Sequence, residues 1–211
     1  MSDAPLIKQL ELGPMQNFVY LIGDPVTRQC VVVDPAWEID AIVDEAAADD
    51  MQITGALVTR THQDHVGGHL FGHDIPGVAE LLGKVKAKVY VHKAEREFLR
   101  GMSSDVTKVE GGDTIQVGRF PLTFIHTPGH TPGSMCFLLE GHPILFSGDT
   151  LFPGGPGATR FPLGDFPTII RSIEEKLFTF PDDTIVLPGH GADTTIGTER
   201  PHLQEWIDRG W

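Results

Sequence analysis

Apolar positions along the chain fall into short runs separated by turns, with stretches of helical spacing between them. Two β-rich runs, at residues 17–22 and 30–33, flank a Gly-Asp-Pro turn, so the sequence predicts a hairpin. At residues 38–48 apolar side chains recur on one helical face, which predicts an amphipathic helix. The run at 53–59 predicts a buried strand, and it leads directly into a polar, histidine-rich segment.

The rest of the chain repeats this alternation. Further strands are predicted at residues 88–91, 114–117, 122–125, 135–139, 144–146 and 184–187. Helices are predicted at 78–82, 94–99, 166–177 and 201–208. Because the strands come in clusters with helices between them, the pattern favours a layered α/β domain in which helices cover the sheets. No repeat or Gly/Ser linker divides the chain, so residues 1–211 are expected to form a single domain.

Composition narrows the range of partners. Hydrophobic residues make up 40% of the chain and charged residues 21%, which is typical of a globular protein. The net charge of −13 disfavours nucleic acid and anionic membranes as partners, and no apolar run is long enough to span a membrane. Cys30 and Cys136 lie in apolar runs as small core residues, and no secretory signal pattern is present. We therefore expect a cytoplasmic protein that acts on a small-molecule substrate, with its oligomeric state left open.

Histidine and aspartate residues collect where the predicted strands end. They are His62, Asp64 and His65 after the strand at 53–59, His130 after 122–125, Asp149 after 144–146 and His190 after 184–187. Loops at strand ends are where scaffolds place functional side chains. Neutral imidazole and carboxylate suit zinc, iron and manganese, and the neighbouring glycines allow close approach. The sequence therefore predicts a metal site.

Four segments resemble known sequence blocks of one family. Residues 59–68 resemble the T-H-x-H-x-D-H-x-G-G signature of the metallo-β-lactamase superfamily. Residues 127–134 (TPGHTPGS), 148–152 (GDTLF) and 188–191 (PGHG) resemble its later blocks, in family order. The early hairpin resembles the N-terminal strands of the glyoxalase II-like (hydroxyacylglutathione hydrolase-like) branch. This resemblance implies an α/β fold, the αββα four-layer sandwich, with a metal site along one edge of the sheets.

The resemblance also implies a role for each candidate ligand. His62 and His130 would belong to a first metal position, and Asp64, His65 and His190 to a second. Asp149 would bridge the two positions, and with Asp64 it would be the catalytic carboxylate that orients the attacking water. The implied activity is metal-dependent hydrolysis of a thioester or another acyl carbonyl by a metal-bound water. Zinc is the expected metal, as one ion or two, with iron or manganese as alternatives.

The sequence departs from the family signature at Arg60, which stands where the motif has its first histidine. A guanidinium carries a permanent charge and has no lone pair for a metal. Three alternatives follow: one metal at the second position, two weakly bound metals with water as a replacement ligand, or a metal-binding remnant that has lost activity. Arg60 is expected to pair either with Asp149 or with a substrate carboxylate. Arg60, and Arg160 in the glycine-rich loop at 154–165, are therefore candidate substrate-binding residues for an anionic group.

Other activities of the superfamily stay open as alternatives. Full glyoxalase II members resemble this chain up to the last histidine and then add a helical domain, which is not expected here because the sequence ends soon after His190. Lactonase and β-lactamase-like hydrolysis are therefore alternatives to thioester hydrolysis. Persulfide dioxygenase is less favoured, because in this superfamily that activity resembles an iron site at the first position.

The remaining histidines are not expected to bind a metal. His126 is expected to support His130 from behind. His69 and His73 are expected to face solvent or to stand behind the ligands. His92, His142 and His202 have no other candidate ligands beside them in the sequence and are interpreted as surface residues.

Overall fold

Two six-stranded sheets form the framework. The structure, a computed structural model, describes residues 4–95 and 106–211. In chain order its elements are β1 (Leu6–Leu12), β2 (Asn17–Asp24), β3 (Gln29–Val33), α1 (Ile39–Ala48), β4 (Gln52–Leu57), α2 (Gln63–Val66), β5 (Gly68–Leu70), β6 (His73–Ile75), α3 (Val78–Lys84), β7 (Lys88–His92), β8 (Val106–Val109), β9 (Thr114–Val117), β10 (Phe120–His126), β11 (Met135–Leu139), β12 (Ile144–Gly148), β13 (Leu151–Phe152), β14 (Gly155–Pro156), α4 (Phe166–Ser172) with a π-helical turn (Ile173–Leu177), β15 (Ile185–Pro188), β16 (Thr194–Thr195), α5 (Ile196–Glu199) with a 3₁₀ turn (Arg200–His202), and α6 (Leu203–Arg209).

The order of strands in each sheet explains where the helices lie. The first sheet has the order β1-β2-β3-β4-β7-β8, and the second has β16-β15-β12-β11-β10-β9. Strands β3, β4, β7 and β8 pair in parallel, as do β12 and β15. A parallel pair requires a crossover, and the crossovers β3–β4, β4–β7 and β12–β15 carry the helices α1, α3 and α4, which pack on the outer faces of the sheets. The short hairpins β5–β6 and β13–β14 lie outside both sheets.

Strand β2 shows how the layers are held together. Phe18, Tyr20 and Ile22 pack in the cluster between the two sheets, whereas Val19 and Leu21 pack in the cluster that contains α1 and α3. Both faces of this strand are buried, so its sequence is a continuous apolar run rather than an alternation. A third cluster joins the second sheet to α4 and α6. The layers are therefore helix, sheet, sheet, helix, and the predicted αββα sandwich is confirmed.

Most predicted elements are confirmed, with differences at their ends. The hairpin pairs β2 with β3 in antiparallel register, and the helix predicted at 166–177 is α4 extended by its π-helical turn. The helix predicted at 94–99 lies, from residue 96 onward, outside the described residues. Strands β1 and β8 were not predicted, and neither were the short strands β5, β6, β13, β14 and β16. Cys30 and Cys136 are buried and free, as expected of core residues.

Among the described helices, none combines the length and apolar character needed to cross a membrane.

Candidate metal centre

The predicted ligands meet at one edge of the two sheets. The segment after β4 and the short helix α2 carry His62, Asp64 and His65, and the ends of β12 and β15 carry Asp149 and His190. Backbone hydrogen bonds connect these segments. Met135 N donates to Thr59 O at 2.8 Å, and Gly189 N donates to Gly148 O at 2.8 Å. The site is therefore built from backbone that both sheets fix in place.

The second predicted position brings three donor groups together. One ligand atom from each of Asp64, His65 and His190 lies within 4.8 Å of the others. The Nε2 atoms of His65 and His190 are 3.1 Å apart, and Asp64 Oδ2 lies 3.2 Å from His65 Nε2 and 3.5 Å from His190 Nε2. Because Nδ1 of His190 faces Met15 O at 3.2 Å, that nitrogen donates, and the Nε2 lone pair is left for the site.

Three residues behind this position were not predicted. Asp34 accepts a hydrogen bond from His65 Nδ1 at 2.8 Å and another from Thr59 N at 2.7 Å, which orients the imidazole. Asn17 Nδ2 donates to Asp64 Oδ2 at 3.1 Å, and Trp37 Nε1 donates to Asn17 Oδ1 at 3.0 Å. Asp34 follows β3 directly, so the strand-end rule that found Asp149 could have found it as well.

The first predicted position is filled by the Arg60 side chain. Its Nε donates to His62 Nδ1 at 3.0 Å, and its Nη2 lies 2.8 Å from Asp149 Oδ2 and 3.6 Å from Asp64 Oδ2. His130 Nε2 lies 3.2 Å from the same His62 nitrogen, while its Nδ1 donates to Ala158 O at 2.7 Å. The guanidinium is only 3% exposed. A permanent cation therefore contacts the side chains expected to bind a first metal.

Asp149 stands between the two positions. Its Oδ2 contacts Arg60 and lies 3.8 Å from both His130 Nε2 and His190 Nε2. Its Oδ1 lies 3.9 Å from His65 Nε2. That oxygen is buried and has no hydrogen-bond partner among the described residues. One carboxylate oxygen is thus committed to the arginine, and the other is left for an occupant of the second position.

The pKa values of His62 and His130 shift in the opposite direction from the pKa of His65. Burial, reinforced by Arg60, lowers the pKa of His130 to about 3 and also lowers the pKa of His62. Burial and Arg60 also act to lower the pKa of His65, but hydrogen bonds with Asp34 and Asp64 outweigh them and raise it to about 9. Burial alone would raise the pKa of Asp149, yet Arg60 holds it below its ordinary value.

The residues of the second position fit a divalent metal ion. Imidazole nitrogen and carboxylate oxygen are the donors that zinc and iron take in proteins. The buried oxygen without a partner, Asp149 Oδ1, offers one more ligand atom on the same side. The first position does not fit a metal in the same way, because the guanidinium contacts His62 and Asp149 directly.

A cavity of about 720 Å³ opens beside the site. His130 and Asp149 line this cavity together with the loop from Phe152 to Phe161. Arg160 lines this cavity with its guanidinium 5.8 Å from the Phe161 ring centre, and Arg209 and Trp211 line it as well. The arginine singled out in the glycine-rich loop therefore lies beside the predicted ligands.

The buried carboxylate of Glu95 connects the two loops that carry the histidines of the first position. Glu95 Oε1 accepts from Thr131 Oγ1 at 2.8 Å and from Gly133 N at 2.9 Å, and Glu95 Oε2 accepts from Thr61 Oγ1. It thereby ties the loop that carries His62 to the loop that carries His130. Sequence reasoning missed this residue, because only the folded chain brings its three donors together.

Two expectations about the other histidines are wrong. His92 is 4% exposed rather than on the surface, and its ring stacks on His126 with the ring centres 3.8 Å apart. His126 does not contact His130 in the described contacts; its Nε2 donates to Pro132 O at 2.9 Å. The packing of β7 against β10 creates this pair, and strand periodicity did not reveal it. His69 is exposed, as expected, and pairs with Asp74.

Comparison with known proteins places this site in a family context. The profile of the metallo-beta-lactamase superfamily matches residues 12–190. Hydroxyacylglutathione hydrolase GloC of Haemophilus influenzae is 34% identical, over 92% of this chain and 94% of that protein. Human mitochondrial persulfide dioxygenase ETHE1 is 33% identical, over 90% and 70%. A probable polyketide biosynthesis zinc-dependent hydrolase, BaeB of Bacillus velezensis, is 34% identical, over 89% and 78%.

Solved structures lead to the same family. ETHE1 from Myxococcus xanthus superposes with a TM-score of 0.82 at 30% identity, covering 97% of this chain and 89% of that one. TTHA1623 in a di-iron-bound form superposes with a TM-score of 0.78 at 28% identity, covering 92% and 96%. Relatives named for hydrolysis and for persulfide oxidation match at similar identity, so similarity alone does not assign the glyoxalase II-like branch.

Proposed function

The chain belongs to the metallo-beta-lactamase superfamily, and we propose that it is a hydrolase with one divalent metal ion, at Asp64, His65 and His190, that cleaves thioesters or related acyl compounds. The observation that carries this proposal is the contrast between the two positions. At the second, three donors converge beside a carboxylate oxygen without a partner; at the first, a guanidinium occupies the contacts. Zinc and iron both suit the donors.

A metal ion at this position supplies Lewis acidity, which lowers the pKa of a water molecule and polarises a carbonyl group. The chain's own residues then prepare the geometry. Asp34 orients His65, and Asn17 holds Asp64 through the hydrogen bond to its Oδ2. Asp149 Oδ1 is an acceptor with no partner among the described residues, so it can orient the attacking water by accepting one of its protons in a hydrogen bond.

The cavity supports a small-molecule substrate. Aromatic rings and backbone form most of its wall, and Arg160 places a positive charge at its exposed side. The chain is strongly acidic overall, so a local guanidinium is what an anionic substrate would require. We assign Arg160 to the recognition of an anionic group on the substrate, which suits a thioester of a charged thiol.

Hydrolysis is favoured over persulfide oxidation because of Arg60. If iron-dependent oxidation in this superfamily uses the first position, Arg60 competes for it through His62 Nδ1 and Asp149 Oδ2. The similarity to ETHE1 keeps oxidation as the second candidate. A metal-binding remnant without activity is the third, and lactones and β-lactams are the alternative hydrolytic substrates.

One set of measurements separates these candidates. The purified chain is analysed for metal identity and stoichiometry by plasma mass spectrometry. It is then assayed with a glutathione thioester, a lactone, a β-lactam and, for oxygen uptake, glutathione persulfide. We expect about one metal ion per chain and thioester hydrolysis that is lost in Asp64→Asn. Oxygen uptake without hydrolysis would overturn the proposal in favour of oxidation, and a metal-free, inactive chain would favour the remnant.

A further inference from the structure

The residues that follow helix α6 form part of the cavity beside the metal site. The helix ends at Arg209, and Gly210 adopts the left-handed conformation, with a φ of 77°, which turns the chain back. Arg209 Nε donates to Trp211 O at 3.1 Å, and its guanidinium carbon lies 4.6 Å from the centre of the Trp211 ring. Both residues line the cavity that His130 and Asp149 also line.

Contacts with the glycine-rich loop and with the helix hold this arginine in place. Its Nη2 donates to Gly154 O at 3.3 Å, and Gly154 N donates to Glu199 Oε2 at 2.9 Å, so the loop is joined to both ends of the C-terminal helical region. Nη1 lies 4.0 Å from Glu205 Oε1, but that carboxylate is 65% exposed, and a pair of this kind contributes little. Trp206 is buried against the second sheet and anchors the helix. The guanidinium is therefore positioned while most of its charge stays available to a ligand.

The Trp211 ring differs from the other tryptophan of this helix because it is 73% exposed, whereas Trp206 is 1% exposed. An exposed indole offers a flat apolar surface, and Arg209 adds a positive charge directly beside it. Arg160 and Phe161, which line the same cavity, form a second pair of guanidinium and ring. Planar bases stack on aromatic side chains, and guanidinium groups bind phosphate oxygens. A nucleotide combines both features in one molecule.

We propose that Arg209 and Trp211 bind the nucleotide of a thioester whose thiol part ends in a base and phosphate groups, with Trp211 stacked on the base. This inference rests on the proposed hydrolase function and names its substrate class. Because Asp149 and Trp211 line the same cavity, the thioester group and the base of one molecule can be bound together. Glutathione also carries anionic groups, but it has no ring that could stack on the indole.

The first test measures binding without turnover. Adenosine 3′,5′-bisphosphate, which has a base and phosphates but no thioester, is titrated into the zinc-loaded chain by calorimetry. We expect its Kd to rise about 10-fold in Trp211→Leu, which removes the ring, and by less than about 3-fold in Trp211→Phe, which keeps one. Arg209→Gln should also weaken binding. Because Trp211 is exposed, its replacement should not disturb folding.

Two controls accompany this titration. Arg171→Gln removes an exposed arginine of α4, away from the described lining of the cavity, and should bind the bisphosphate as the wild type does. Inorganic pyrophosphate carries the charges without a base, so it should bind equally to the wild type and to Trp211→Leu. Together they separate stacking on Trp211 from attraction of any anion.

The second test measures substrate preference. Acetyl-coenzyme A and acetyl-pantetheine contain the same acyl–sulfur bond, but only the first carries a nucleotide. We expect the wild type to favour acetyl-coenzyme A in kcat/KM, and this preference to fall about 10-fold in Trp211→Leu. The loss should appear in KM rather than in kcat, because the base is bound far from the bond that breaks.

The outcomes are separable. A wild type that hydrolyses thioesters but does not bind the bisphosphate, or binds it as tightly in Trp211→Leu, would overturn the nucleotide subsite and leave the hydrolase function standing. Equal kcat/KM values for the two acetyl thioesters in the wild type would overturn the substrate class in the same way. A chain that binds the bisphosphate through Trp211 but hydrolyses no thioester would refute the hydrolase function and leave the subsite standing.

Discussion

The two candidate metal positions have nearly the same imidazole geometry but different sources of positive charge. At the first, the rings of His62 and His130 are 4.9 Å apart and inclined by 74°; at the second, those of His65 and His190 are 5.1 Å apart and inclined by 75°. Arg60 binds the first pair through His62 Nδ1. The second pair has no such direct hydrogen bond from an arginine or lysine within the described part of the chain.

This difference separates what the scaffold determines from what one residue determines. The strand ends place both imidazole pairs, so ligand geometry survives the replacement of a motif histidine. The occupant is decided by charge, because a guanidinium in contact with Asp149 opposes a second cation at the same place. A ligand set can therefore look almost complete in the sequence while an arginine side chain contacts its members in the folded chain.

The largest expected effect is on metal affinity, when one histidine at each position is replaced by alanine. His190→Ala should weaken metal binding by about 100-fold or more, since it removes a ligand rather than a residue behind one. His130→Ala, the matched variant at the first position, should change metal affinity by less than about 3-fold. Zinc titration by calorimetry measures both. Equal losses in the two variants would show that the metal ion uses the first position as well.

The next largest expected effect is a change in the number of zinc ions bound per chain. Arg60→His supplies an imidazole and removes a repulsion of about 4 kcal/mol for two unit charges 4 Å apart at an effective dielectric of 20, and about twice that for a dication. We expect about two zinc ions per chain where the parent binds about one. Arg60→Gln removes the charge without supplying the imidazole and is the control. If the parent and Arg60→His bind the same number of ions, Arg60 does not control the first position.

A smaller effect tests the residues behind each position. Asp34→Asn removes the charge that holds the His65 N–H and should weaken metal binding by about 10-fold. Glu95→Gln changes the buried carboxylate behind the first position and should leave metal affinity unchanged, although thermal stability will fall. The comparison would fail if Glu95→Gln weakened zinc binding as much as Asp34→Asn does.

Much of this site could be predicted because the ligands follow strand ends, and strand ends are visible as breaks in apolar runs. The role of Arg60 could be predicted only in part, because the sequence left open whether it pairs with Asp149 or with a substrate carboxylate, and the structure shows the pair with Asp149. The motif showed that it cannot ligate a metal, but the direction of its guanidinium depends on where His62 and Asp149 stand in the folded chain.

The supporting residues were hidden for related reasons. Asn17 reaches Asp64 only because its backbone pairs with His190 across the sheet edge, a contact between distant parts of the sequence. His92 was misread as a surface residue, since a histidine at the end of a strand gives no sign of the ring that will stack on it. In both cases tertiary contacts, not local pattern, determine the role.

The smallest expected effect concerns the stacked pair of His92 and His126. Burial, with His126 close by, lowers the pKa of His92 from 6.5 to about 4, and Ala94 N donates to its Nδ1 at 3.2 Å, as suits a neutral ring. Between pH 6.5 and about 4 the unfolded chain binds the proton that the folded chain excludes. The stabilisation from the neutral ring is therefore complete above pH 6.5 and is lost as the pH falls through this window.

His92→Phe keeps an aromatic ring but cannot be protonated, so its Tm should fall less than that of the parent between pH 7.5 and 5. A difference of about 1 kcal/mol corresponds to about 2–4 °C in a chain of this size. The exposed His202→Phe is the control and should follow the parent at both pH values. If His92→Phe and the parent lose the same number of degrees, protonation of His92 does not destabilise the folded chain.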